Sequence, residues 1–205
     1  MNRQASLSVC VGVAMALGAW TLYVTDPVTA ATSSKAYFAG GCFWCMEEVF
    51  EKGEGVLSVT SGYMGGTAAN PSYEEVSGGQ TGHAESVEVV YDQTKVRYQT
   101  LLEIFWRNVD PITPNAQFCD HGSQYRAAIF FQSDEEKRAA ESSKQTIEQS
   151  KRLKGAIVTQ IVPTAQFYPA EEYHQDFYKK NPVRYKFYKY NCGRAQRLEE
   201  LWGKP

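Results

Sequence analysis

The chain reads as an α+β protein, a ferredoxin-like two-layer α/β sandwich with a long, irregular C-terminal arm. Two observations predict this. Apolar segments follow the order strand, helix, strand, strand, helix, strand, which is that of a split βαβ unit, and the period of each segment matches its assignment. Residues 32–205 also have the right length for one domain with a substantial core, and no internal repeat or low-complexity tract interrupts them.

The first strand is expected at Ala36-Tyr37-Phe38, followed by a helix from about Cys42 to Lys52 that ends at Gly53. Val56 to Tyr63 and Val87 to Tyr91 alternate apolar and polar residues, so both read as strands. The Gly, Ser, Asn and Pro residues between them mark a long functional loop. Leu101, Leu102, Phe105 and Trp106 stand at helical spacing within Tyr98 to Asn108, and Pro111 and Pro114 stop any continuation. A strand at Ala127 to Phe131 leads into a helix that starts at Ser133-Asp134-Glu135-Glu136 and ends near Gly155. Ile157 to Val162 is the last expected strand.

Residues 1–31 stand apart from this domain. Arg3 precedes an almost unbroken apolar stretch from Leu7 to Val24, and Val28-Thr29-Ala30 offers a small-residue cleavage site. This predicts a signal peptide, or an anchor if uncleaved, since about 18 apolar residues can span a bilayer. Either way the domain is expected outside the cytoplasm, secreted or periplasmic. The net charge of −2 stays at −2 once Arg3 and Asp26 are removed, so the chain lacks the electrostatic footprint of a nucleic-acid binder. The basic residues of the final third, from Lys179 to Arg197, read as a solvated face, and His83, His121 and His174 as turn or surface histidines.

The most informative run is Gly40-Gly41-Cys42-Phe43-Trp44-Cys45-Met46-Glu47. A thiol at a helix start can be held as thiolate by backbone N–H groups and the helix dipole, and thiolate is the nucleophilic form. Phe43 and Trp44 predict an apolar wall beside that sulfur.

This run resembles the signature of the A-type peptide methionine sulfoxide reductases through Gly41, Cys42, Phe43, Trp44 and Glu47. Ser61-Gly62-Tyr63, Asn70-Pro71 with Tyr73, Thr81-Gly82-His83-Ala84-Glu85 and Gln124-Tyr125-Arg126 are similar to further family segments, in the family's order. The likeness runs from about Tyr37 to Gly203.

Reduction of a sulfoxide by a thiol needs a nucleophile, a proton source for the oxygen, and a pocket for the methyl group. Cys42 supplies the first; Glu85, kept protonated by apolar surroundings, is the expected acid. Tyr73 and Tyr125 add hydrogen bonds to the oxygen, and Phe43 and Trp44 enclose the methyl. The resemblance implies the same roles and adds Asp120 at the mouth. It implies substrates of free or protein-bound methionine S-sulfoxide, a sulfenic acid on Cys42, and a disulfide reopened by a thioredoxin-like reductant. No metal or cofactor is called for, and the protein is expected to act as a monomer.

Three thiols can resolve Cys42. Family habit puts Cys192 first, in a tail able to swing over the site; Cys45, in Cys42-x-x-Cys45, is second; Cys119, with no obvious freedom to move, is third. The cysteines leave three other readings open. These are a general dithiol oxidoreductase using Cys42 and Cys45, a zinc module built on Cys42, Cys45, Cys119 and Cys192, and a structural domain stapled by two disulfides.

Overall fold

The structure is a computed structural model and describes residues 32–204. The apolar stretch from Leu7 to Val24, with the export expectation that rests on it, lies outside the described residues. In chain order the strands and helices are β1 (Ser33–Gly40), α1 (Phe43–Glu51), β2 (Val56–Met64), α2 (Tyr73–Ser77), β3 (Ala84–Asp92), α3 (Tyr98–Arg107), β4 (Ala116–Gln117), β5 (Asp120–His121), β6 (Ala127–Phe131), α4 (Asp134–Gln149), β7 (Gln160–Pro163), β8 (Tyr168–Pro169), α5 (Phe177–Lys180), α6 (Pro182–Asn191) and α7 (Arg194–Trp202).

The main sheet runs β7-β6-β1-β3-β2-β8. The pairings among its four central strands are antiparallel, while the edge strand β7 pairs parallel with β6. Two strands that run the same way therefore flank β3, which is the split βαβ order. Alternation along β1 divides the sheet faces. Ala36 and Phe38 enter the main core beneath α1 and α3, whereas Ala39 joins Met64, Ala84, Ala128 and Phe130 on the other face. Phe38 stacks on both Phe50 of α1 and Phe105 of α3, with ring centroids 4.9 and 5.3 Å away. That contact fixes where α1 begins relative to the sheet.

Most expected elements appear with small boundary shifts. The helix begun at Ser133 is capped by that side chain, which accepts from the Glu136 N–H, but it closes at Ser150 rather than near Gly155. The expected loop between β2 and β3 contains α2, opened by a capping box between Ser72 and Glu75. The irregular arm is a correction: residues 177–202 form three helices, with Pro182 in the first turn of α6.

The arm is tied back onto the sheet. Gln175 pairs with Ser61 of β2 as a strand would, donating to its carbonyl and accepting from its N–H, both at 2.9 Å. Glu47, a residue of the signature run, accepts from the Asp176 N–H at 3.0 Å, where Asp176 takes the left-handed conformation at φ 54°. Glu47 therefore holds the arm against α1. The basic residues there are not simply a solvated face, because Arg194 is buried and Arg197 pairs with Asp110.

Candidate active site

Gly41 sets the position of Cys42. It has φ 79°, and a Cβ there would stand 2.4 Å from Cβ of Gln117, so only glycine fits. Cys42 is then the N-cap residue of α1, with its carbonyl receiving the N–H groups of Cys45 and Met46. Its side chain enters a cleft of about 60 Å³ lined by Cys42, Phe43, Trp44, Tyr73, Glu85, Asp120, Tyr125 and Tyr188. Seven of those eight are residues that the sequence singles out. They arrive from α1, α2, β3, β5 and the turn before β6. A larger groove, of about 890 Å³ between α3 and α4, contains no cysteine.

Glu85 is 3% exposed, and its Oε2 accepts from the Phe43 N–H at 3.0 Å. Burial nevertheless outweighs that hydrogen bond and, with the nearby charges of Asp120 and Cys45, lifts its pKa to about 8. Glu85 is thus a neutral acid near pH 7. Tyr73 is pushed up to about 12, chiefly by burial, and burial raises Tyr125 further, so both keep their phenolic protons.

The two thiols of the signature share one environment. Cys42 is 6% and Cys45 2% exposed. Burial raises the Cys42 pKa, and the neighbouring Cys45 raises it further. Interaction with Cys42 lowers Cys45 to about 6, helped by the buried Arg194 cation. Burial thus opposes the thiolate that the helix start favours at Cys42, while its neighbour Cys45 is eased toward the anion.

Aromatic residues close the cleft from the arm. Trp44 stacks on Phe177 with centroids 3.7 Å apart, and its indole N–H donates to Nδ1 of His174 at 3.1 Å. His174 also packs against Phe43 and Tyr73, and burial keeps its pKa low. Tyr188 donates to Asp120 and lines the cleft together with Cys42. Sequence reasoning missed Tyr188, His174 and Arg194. His174 and His83 are both buried, which corrects their reading as surface residues, and His83 receives the Gly66 N–H to pin the loop before β3.

Cys192 is not free to meet Cys42 as a thiol. It is bonded to Cys119, and that disulfide is partly exposed. The pairing removes two of the four ligands that a zinc module requires. The burial of Cys42 and Cys45 also argues against a general dithiol oxidoreductase, whose attacking sulfur must meet a protein disulfide.

Comparison with known proteins agrees with this geometry. The family model for peptide methionine sulfoxide reductase matches residues 34–205. The peptide methionine sulfoxide reductase MsrA of Halalkalibacterium halodurans is 49% identical over 170 residues, covering 83% of this chain and 97% of the relative. Among solved structures, Mxr1 from Saccharomyces cerevisiae in reduced form superposes with a TM-score of 0.69 at 34% identity, covering 77% of this chain and 89% of Mxr1. Mxr1 in complex with Trx2 aligns at a TM-score of 0.51 and 25% identity, covering 74% and 87%. With its catalytic-type cleft and a family match over its whole described domain, the chain belongs to the peptide methionine sulfoxide reductase family.

Proposed function

We propose that this chain reduces methionine S-sulfoxide, free and in oxidised proteins, to methionine, using Cys42 as nucleophile. The observation that carries the reading is the convergence of Cys42, a protonated Glu85, two phenols and two aromatic walls on one small cleft. The sulfoxide oxygen takes hydrogen bonds from Glu85, Tyr73 and Tyr125, while the methyl group rests on Phe43 and Trp44. Cys42 attacks the sulfur as its proton passes to Cys45, and Glu85 protonates the oxygen. The oxygen transfers to Cys42 as sulfenic acid and methionine leaves, so the substrate sulfur gains the electron pair that Cys42 loses.

Cys45 then attacks the Cys42 sulfenic sulfur, releasing water and forming a disulfide. The packing of Cys42 and Cys45 in one buried cluster, with Cys192 bonded to Cys119, supports Cys45 in this role ahead of Cys192. A thioredoxin-like dithiol protein restores the thiols, a partner supported by the complex of Mxr1 with Trx2. Export, as a signal peptide or an anchor ahead of a domain spanning 32–205, rests on the apolar stretch behind Arg3, and N-terminal sequencing of protein recovered from cells separates the two.

The domain comprising 32–205 should reduce the S but not the R sulfoxide of methionine with dithiothreitol, and Cys42→Ser should abolish this. Equal turnover of both epimers would overturn the assignment.

A further inference from the structure

We propose that the outer face of α6 is a membrane-docking surface, which seats this domain on a bilayer rich in anionic lipid. The proposal goes beyond the sulfoxide-reducing reading and does not depend on it.

Exposure motivates it. Among the described residues the three most exposed large apolar side chains are Val183, Phe187 and Tyr190, at 82, 72 and 85%. Isolated apolar residues on a surface are ordinary, but these three belong to one helix. Their spacing, four residues and then three, puts them in one stripe along its outer face. The inner face is already engaged: Tyr185 is buried and donates to Glu48 of α1, Lys189 pairs with the same carboxylate, and Tyr188 donates to Asp120. These contacts fix the helix and leave its stripe facing out. Side chains so exposed project from the surface rather than line a groove, so the stripe suits a flat partner better than a peptide.

Charge selects the lipid. Residues 177–197 carry seven Lys and Arg and no Asp or Glu. Most of these cations have partners: Lys179 pairs with Glu51, Lys180 with Glu172, Lys189 with Glu48 and Arg197 with Asp110, while Arg194 is buried. Arg184 and Lys186 make no ion pair among the described residues, and both are exposed beside the stripe. Apolar and aromatic side chains that enter the headgroup boundary, flanked by cations that meet lipid phosphates, make up an interfacial helix. The long stems of Arg184 and Lys186 can lie along the apolar stripe while their charges reach the headgroups.

Docking by this face also places the cleft. Tyr188, next in sequence to Phe187, lines the cleft with Cys42 and Trp44. Seating Phe187 in the headgroup layer therefore holds the cleft close to the bilayer, within reach of side chains on polypeptide segments that emerge from it.

Vesicle flotation tests the surface on residues 32–205, which lie within the compact unit that begins at Ala31, so that the apolar stretch from Leu7 to Val24 does not itself carry the protein to lipid. The domain should float with vesicles of phosphatidylglycerol and phosphatidylcholine in equal parts, and far less with phosphatidylcholine alone. Val183→Ser/Phe187→Ser/Tyr190→Ser should weaken that binding by ~10-fold or more. Arg184→Gln/Lys186→Gln, or raised salt, should weaken it as well. Melting temperature and turnover of free methionine S-sulfoxide should be unchanged in both variants, because none of these side chains lines the cleft. Binding that is absent, equal on both kinds of vesicle, or equal in the wild type and the Val183/Phe187/Tyr190 variant overturns the proposal. Absent vesicle binding together with a loss of only thioredoxin-supported turnover in that variant assigns the face to a dithiol protein instead. Failure of the wild type to turn over free sulfoxide overturns the sulfoxide-reducing reading and leaves the vesicle result standing.

Discussion

The main-chain N–H of Phe43 donates to the Glu85 carboxyl at 3.0 Å, joining the residue after the nucleophile to the residue that supplies the proton. The bond fixes the acid relative to Cys42 without stabilising its ionised form enough to overcome burial, so Glu85 titrates near about 8. The single-turnover rate should therefore fall as pH rises through that value. Glu85→Gln should lower the rate on the order of 10²-fold or more and remove that descending limb. A stopped-flow pH profile of both proteins checks this.

The same residue makes an opposite prediction for stability. Its folded pKa lies above the unfolded value, so the wild type loses stability as pH rises from about 4.5 to about 8. Glu85→Gln carries no such cost. Its melting temperature should exceed that of the wild type at pH 9, and the gap should close at pH 4.

For the thiol pair, the ultraviolet absorbance of thiolate in Cys119→Ser/Cys192→Ser protein should show a first midpoint near about 6 from Cys45. Arg194→Met removes a cation and should move that midpoint upward, whereas Arg194→Lys should largely restore it. An unchanged midpoint in Arg194→Met would mean that the Arg194 cation does not set it.

Gly41→Ala should destabilise the fold by more than about 2 kcal/mol. The left-handed backbone costs a non-glycine residue about 1–2 kcal/mol, and the clash with Gln117 adds to it. Denaturant unfolding gives the value, and activity should fall too, because the same turn aims Cys42.

Phe177→Ala should cost about 3–5 kcal/mol by emptying a buried aromatic site. It also removes the stacking partner of Trp44, so KM should rise more than kcat falls. Chemical denaturation and steady-state kinetics on the same preparation separate the two effects.

Much of the site was legible because its chemistry is local in sequence. Cys42, Phe43 and Trp44 are consecutive, and Tyr73, Glu85 and Tyr125 each sit in a short distinctive segment. Tyr188, His174 and Arg194 were not, since each acquires meaning only from a partner far along the chain: 68 residues for Tyr188 with Asp120 and 130 for His174 with Trp44. The helical arm was hidden for another reason. On α6 the apolar Val183, Phe187 and Tyr190 face solvent while Tyr185 is buried, so the apolar pattern that normally reveals a helix is scrambled. The Cys119–Cys192 pairing likewise depends on a hairpin and a helix end that meet only in the fold.

The size of the cleft bears on what the enzyme can choose. About 60 Å³ holds the sulfinyl group and its methyl and little else, so the walls touch only the tip of the side chain. Neighbouring residues of a client polypeptide stay outside and go unread. The selection of damage for repair then passes to the client: a methionine is restored when its own chain lets that tip protrude, and stays oxidised while it remains folded away.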